Sequence, residues 1–234
     1  MNYPVYWTTR LGLRIAYGAL WGLEVIGRER VPAEGPVILA CNHASYLDPP
    51  ILGAAFDRVI AFMARESLFG NPLFGWYIRA LNAFPLDRDG DPRTALRAMC
   101  AKLETGACVT LFPEGTRTET GRMGPVKRGV GMLAVRSGAP VLPVYIGGSF
   151  ESWPKGRGQP RRFPLRVETG TLLRVADDLQ GGKARRAEEE RIRAAVEQDL
   201  RRLEAAYRVR RGLALPGPDG TPAALSAPAA QETP

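Results

Sequence analysis

Histidine occurs once and cysteine three times in 234 residues, and the most apolar N-terminal stretch, Ile15 to Ile26, is short and interrupted by Glu24. A membrane-spanning helix needs about 20 mostly apolar residues. This stretch therefore predicts no span, and without a basic start it predicts no secretory signal. The odd cysteine count, with Cys41, Cys100 and Cys108 in apolar or helical surroundings and not at metal-ligand spacing, argues against a disulfide-stapled fold and for a reducing compartment. Cys41 reads as a small buried residue at a strand end. The chain also lacks an RNA-binding aromatic motif, zinc-finger spacing and a helix-turn-helix pattern, so nucleic acid is disfavoured as a partner despite a net charge of +8. The acidic partners that remain are an anionic lipid surface and a phosphorylated substrate.

With 45% hydrophobic and 24% charged residues, the chain can build one domain with a substantial core. Apolar runs predict strands at Val37 to Cys41, Val59 to Met63, Ala83 to Leu86, Cys108 to Phe112, Val141 to Ile146 and Leu165 to Glu168. Helical patterns lie between most of them, at Thr9 to Ile26, Pro49 to Ala55, Leu73 to Leu81, Arg93 to Leu103, Val130 to Arg136 and Ala187 to Val209. Such alternation predicts an α/β fold. In the last helix Ile192, Val196, Leu200, Leu203 and Tyr207 share one face, and the charged remainder reads as a solvated face. Residues 1–30 read as an amphipathic segment whose aromatic and aliphatic residues, interleaved with Arg10 and Arg14, suit either a membrane interface or the domain's own surface. Residues 31–212 form the main domain, and the Ala- and Pro-rich stretch 213–234 is predicted to be disordered. Lys155 to Arg162, preceded by Trp153, reads as a basic loop that suits either an anionic membrane or solvent.

The single histidine sits in Asn42-His43-Ala44-Ser45-Tyr46-Leu47-Asp48, directly after a strand. Imidazole can take and return a proton near neutral pH, and a nearby carboxylate can orient it. On an ideal helix a spacing of five would set the two side chains about 140° apart, so a pairing requires His43 in the strand-to-helix turn and Asp48 at the following helix start. A second strand, Val109 to Phe112, runs into Pro113-Glu114-Gly115-Thr116-Arg117. Two strand ends carrying functional groups can converge on one crevice of an open sheet.

Asn-His-x-x-x-x-Asp followed by Phe-Pro-Glu-Gly-Thr-Arg resembles the glycerolipid acyltransferase family, which includes 1-acylglycerol-3-phosphate acyltransferases. Phe84-Pro85-Leu86-Asp87-Arg88 and Ala139-Pro140-Val141-Leu142-Pro143-Val144 match in the same order, so the resemblance spans Val31 to Val175. It implies a central mixed sheet flanked by helices, the glycerol-phosphate acyltransferase-like fold. It also implies an acyltransferase that moves a fatty acyl group from acyl-CoA or acyl carrier protein to 1-acylglycerol-3-phosphate, giving phosphatidic acid, with no metal and no tightly held cofactor. The site it implies has His43 and Asp48 as the catalytic pair, and Glu114, Gly115, Thr116, Arg117 and Arg88 at the phosphorylated acceptor. Asn42, or backbone N–H groups in the turn after His43, would stabilise the oxyanion or support the turn. Ser45 lacks the Gly-x-Ser-x-Gly elbow of an acyl-enzyme nucleophile. Lys127 and Arg128 read as surface charge. The expected place is the cytoplasmic face of a membrane, peripheral or monotopic. Other lysolipid acceptors and a catalytically idle lipid-binding protein are the rival readings, the last disfavoured because every catalytic residue type is present.

Overall fold

A computed structural model describes residues 2–86 and 91–213. The strands, in chain order, are β1 (Glu24–Ile26), β2 (Val37–Cys41), β3 (Ile60–Arg65), β4 (Ala83–Leu86), β5 (Cys108–Leu111), β6 (Val141–Gly147) and β7 (Arg166–Thr169). They form one mixed sheet in the order β1-β7-β6-β2-β5-β3-β4, in which only the β6–β7 pair is antiparallel. The helices are α1 (Tyr3–Trp21), α2 (Asp48–Ala55), α3 (Pro72–Ala80), α4 (Pro92–Glu104), α5 (Gly129–Ser137), α6 (Ser149–Ser152) and α7 (Gly181–Arg211).

The central strand β2 shows why its sequence is a continuous apolar run and not an alternating one: both faces of the sheet are covered. Ile38 and Ala40 enter a core with Met99 of α4, Leu133 of α5 and Ile192, Val196 and Leu200 of α7. Val37, Leu39 and Cys41 enter a second core with Tyr17 of α1 and Ile51, Leu52 and Phe56 in and after α2. Each fully buried aliphatic side chain contributes about 1.5–3 kcal/mol, so the two cores lock the strand from both sides. The five apolar residues expected on the inner face of α7 are all buried.

Three helix limits differ from expectation by more than two residues, the first being the start of α1, at Tyr3 instead of Thr9. α1 closes at Trp21, where Gly22 takes a left-handed conformation (φ 56°), and the chain continues as the short edge strand β1 instead of staying helical to Ile26. The amide of Glu24 is captured by the carbonyl of Leu165 at 3.0 Å, which begins the pairing with β7. α7 begins at Gly181, ahead of the expected Ala187, because its first turns are solvent-facing and carry no apolar spacing. Leu213 packs against the α7-side core, and residues 214–234, the rest of the predicted tail, lie outside the described residues.

α1 has two faces. Tyr6 and Tyr17 are buried, and the Tyr6 hydroxyl accepts the amide of Ile60 at 3.1 Å. The opposite stripe of Tyr3, Trp7, Leu11 and Ile15 is exposed, and so are Leu68, Leu73, Phe74 and Trp76 in and just before α3. Arg10 and Arg14, which suited either a membrane interface or the domain's own surface, both pair with Asp57. Among the described residues no helix is long and apolar enough to cross a membrane.

Candidate active site

β5, β2 and β6 are parallel neighbours, so their C-terminal ends open along one edge of the sheet. The β2–α2 turn supplies His43, the β5–α5 connection supplies Glu114 to Lys127, and β6 ends at Gly147 beside them. Crevices at such strand ends are where open α/β sheets bind ligands.

His43 Nδ1 lies 2.8 Å from Asp48 Oδ2. The same oxygen accepts the amides of Ala44 at 2.7 Å and Ser45 at 2.8 Å. Asp48 is fully buried and opens α2, with Pro49 and Pro50 behind it in the first turn, where a missing N–H leaves nothing unsatisfied. The imidazole stacks on Phe112 at the end of β5, with ring centroids 4.0 Å apart and planes 17° apart. Ring orientation is thus fixed along one edge by a carboxylate and across one face by an aromatic ring, which leaves Nε2 as the ring nitrogen available to a substrate.

Glu114 ties the two turns together. Its Oε1 accepts the amide of His43 at 2.8 Å and its Oε2 the amide of Gly124 at 2.7 Å. The amide of Thr118 returns the connection by donating to the His43 carbonyl at 2.9 Å. Gly115 has φ 75°, a left-handed conformation that strains other residues, and a Cβ there would lie 2.8 Å from Lys127 Nζ. The loop is braced from α7: Arg208 donates to the Gly121 carbonyl at 2.6 Å, and Glu204 accepts the Met123 amide at 3.4 Å.

Asn42 and the amides of Ala44 and Ser45, among the expected oxyanion donors, are otherwise engaged. The amides of His43, Ala44 and Ser45 all serve carboxylates, because the buried Asp48 and Glu114 require them. Asn42 is buried and spans to β6, its Nδ2 donating to the Ile146 carbonyl at 3.1 Å and its Oδ1 accepting the Ile146 amide at 2.6 Å. It therefore clamps the β2–α2 turn to the neighbouring strand. Ser45 Oγ donates to the Trp153 carbonyl at 2.7 Å and accepts the Leu47 amide at 3.1 Å.

Arg117 lies with its guanidinium carbon 3.5 Å from the centre of the Tyr46 ring, and its Nη1 is buried without a partner. The Arg117 guanidinium, by hydrogen bonding first and by its charge second, holds the Tyr46 hydroxyl below the usual phenol range, and Arg65 and Lys155 add to the effect. Arg65, at the end of β3, acts on Tyr46 through its charge alone, and sequence reasoning missed it: a lone cation at a strand end carries no spacing signal. Lys155 also pairs with Glu119, and Trp153 faces Tyr46 with ring centroids 5.6 Å apart, so this part of the basic loop reaches the site. Thr116 is exposed and lines an open groove with Glu114, Arg117 and Thr118. Arg88 lies outside the described residues. All three cysteines are free and buried, and burial pushes the Cys108 thiol up to about 12. Among the described residues no group of three or more His, Cys, Asp or Glu is placed to hold a metal ion.

A protein-family model described as Acyltransferase matches residues 22–147, more than half of the chain. The 1-acyl-sn-glycerol-3-phosphate acyltransferase of Pseudomonas aeruginosa is 36% identical over 154 residues, covering 64% of this chain and 56% of that protein. The protein of the same description from Bacillus subtilis is 28% identical over 166 residues, covering 70% and 80%. The chloroplastic 1-acyl-sn-glycerol-3-phosphate acyltransferase BAT2 of Brassica napus is 31% identical over 155 residues, covering 64% and 44%. The chain thus spans about half the length of the Pseudomonas and Brassica relatives. The crystal structure of the 1-acyl-sn-glycerophosphate (LPA) acyltransferase PlsC from Thermotoga maritima superposes with a TM-score of 0.67 at 31% identity, covering 82% of this chain and 78% of that one.

Burial, partly offset by the two amides, pushes the Glu114 carboxyl up to about 7. A carboxyl raised on folding binds its proton more tightly in the folded chain. Its contribution therefore favours the fold fully below the unfolded value near 4.5 and is lost as pH rises through about 7. Urea unfolding between about pH 5 and pH 8 is expected to show the wild type losing stability relative to Glu114→Gln as pH rises. Parallel pH profiles for the two proteins would contradict the assignment.

Proposed function

The chain belongs to the acyltransferase family, and on that premise we propose that it transfers a fatty acyl group from a thioester donor to the free hydroxyl of 1-acyl-sn-glycerol-3-phosphate, giving phosphatidic acid. The observation that carries the reading is the hydrogen bond between His43 Nδ1 and the fully buried Asp48, with Arg117 on the neighbouring turn. His43 Nε2 takes the proton of the acceptor hydroxyl as its oxygen attacks the thioester carbonyl. The tetrahedral intermediate then collapses, and the departing thiolate takes that proton back from the imidazolium. Asp48 fixes the tautomer and stabilises the imidazolium between these steps. Transfer is direct: the Ser45 hydroxyl, two residues from His43, is bonded at both ends to backbone groups. The reaction needs neither a metal nor a tightly held cofactor.

The acceptor's phosphate meets Arg117, whose unpartnered Nη1 and planar fork suit a bidentate anion, with Arg65 and Lys155 adding positive charge around Tyr46. Gly115 and Thr116 shape the turn that presents Arg117, and Glu114 holds that turn to His43. In acceptor-dependent thiol release from acyl-CoA, His43→Ala is expected to lower turnover by about 10³-fold or more. Arg117→Ala is expected to raise the KM for the acceptor by about tenfold, with a smaller effect on kcat. Undiminished turnover in His43→Ala contradicts the mechanism.

Acceptor and product are lipids, and the exposed stripe of Tyr3, Trp7, Leu11 and Ile15 on α1, beside the exposed Leu73, Phe74 and Trp76 of α3, supplies an apolar face to meet them. Arg65 directly precedes the segment leading into α3, so the phosphate-binding cations border this face. On this reading the chain is a peripheral or monotopic protein on an anionic membrane surface, and its three free cysteines suit the cytoplasmic side. Leu11→Glu with Ile15→Glu is expected to abolish flotation with anionic vesicles while leaving turnover of a detergent-dispersed acceptor within about twofold, since neither side chain enters the core. Unchanged flotation would remove α1 from the contact.

A further inference from the structure

α7 buries a row of residues at a spacing of four: Ile192, Val196 and Leu200, then Glu204 and Arg208. The first three are apolar and enter the core, whereas the last two are charged and only 7% and 6% exposed. The charged residues of this helix, expected on a solvated face, therefore turn inward at its C-terminal end. Arg208 Nε donates to Glu204 Oε1 at 3.3 Å. A buried ion pair carries a desolvation cost that two apolar residues of similar volume avoid, so stability alone gives a weak reason for this one. Both residues bond the β5–α5 loop: Arg208 Nη2 donates to the Gly121 carbonyl at 2.6 Å, and Glu204 Oε1 accepts the Met123 amide at 3.4 Å.

From these observations we infer that Glu204 and Arg208 are positioning residues for acyl transfer, which hold the β5–α5 loop so that Glu114 fixes the His43 turn. The inference rests on the acyl-transfer reading above. A continuous set of bonds carries it. Gly124, next to Met123, donates its amide to Glu114 Oε2 at 2.7 Å, and Glu114 Oε1 accepts the His43 amide at 2.8 Å. The same loop returns to the turn through the Thr118 amide, which donates to the His43 carbonyl at 2.9 Å. Glu204 and Arg208 also line one small cavity with His43, Glu114 and Gly121, so the pair and the His43 turn border the same space. From the other side α6 confines the loop: Gly121 has φ 77°, and a Cβ there would lie 2.8 Å from the Phe150 ring. A small displacement of a reacting group costs far more in rate than in stability, which is the return on a rigid loop at this place. α7 lies beyond residues 22–147, the stretch that the family model matches.

The test separates positioning from stability. Glu204→Leu/Arg208→Met removes the pair while keeping apolar volume on a helix. Such a replacement of a buried ion pair is often neutral or stabilising, so the urea midpoint is expected to hold or rise. In thiol release from palmitoyl-CoA with detergent-dispersed 1-acyl-sn-glycerol-3-phosphate, kcat of this variant is expected to fall about tenfold or more. Arg208→Lys, which keeps a cation and a donor, is expected to recover to within about threefold of wild type. A second readout needs no turnover: labelling with ¹⁵N-histidine marks one backbone amide, that of His43, which bonds to Glu114. Its resonance is expected to move in the double variant and to return toward the wild-type position in Arg208→Lys. If the double variant does not fold, Arg208→Gln, which removes the charge and shortens the reach, takes its place with the same two readouts. If wild type shows no acceptor-dependent thiol release, the acyl-transfer reading fails, and the amide resonance still decides whether α7 sets the turn. A folded variant with kcat within about twofold of wild type, or a His43 amide resonance that stays in place, overturns the inference.

Discussion

A carboxylate with no access to water must be met by hydrogen-bond donors, and Asp48 is met on a single oxygen by the His43 imidazole and by two consecutive amides. That requirement organises the turn. The chain leaving β2 must fold back so that the Ala44 and Ser45 amides point inward, and the same fold-back sets His43 against Asp48 and starts α2 at that residue. A buried carboxylate left unbonded costs several kcal/mol, so geometry and stability here depend on the same contacts. The placement of His43 beside Asp48 follows from satisfying a buried carboxyl group.

Glu114 repeats this logic between two turns. By accepting the amides of His43 and Gly124 it makes the β2–α2 and β5–α5 connections one unit, and Asn42 adds β6 through paired bonds to Ile146. Three adjacent strand ends are therefore held together by one carboxylate and one side-chain amide. α7 extends the unit with Glu204 and Arg208, which are nearly buried and bonded to the loop beyond Glu114. Arg117, Lys127 and Arg201 line one groove with Glu114 and Thr118, and Lys155 reaches it through Glu119.

The sheet was legible wherever a strand is buried on both faces: Val37 to Cys41 reads as a strand from composition alone and has those limits in the structure. β1 was not legible, because Glu24-Val25-Ile26 follows an apolar helix without a break in pattern, and its pairing with β7 depends on the carbonyl of Leu165. Within the site, His43, Asp48, Glu114 and Arg117 stand out by type and spacing, and the structure brings all four to one edge. The amide ligands of the two carboxylates, the bridge from Asn42 to Ile146 and the approach of Arg65 to Tyr46 are tertiary. They join residues far apart in sequence, and no local periodicity reports them.

Since His43 is the only histidine, labelling the chain with ¹⁵N-histidine gives the nitrogen resonances of one imidazole and no other. The neutral ring is expected to carry its proton on Nδ1, bonded to Asp48, with Nε2 unprotonated and able to accept. Asp48→Asn, which cannot present the same acceptor to Nδ1 and the two amides, is expected to shift the proton to Nε2 and abolish turnover. A neutral ring protonated on Nε2 in the wild type, or the same tautomer and full turnover in Asp48→Asn, would contradict the claim that the buried carboxylate sets the catalytic base.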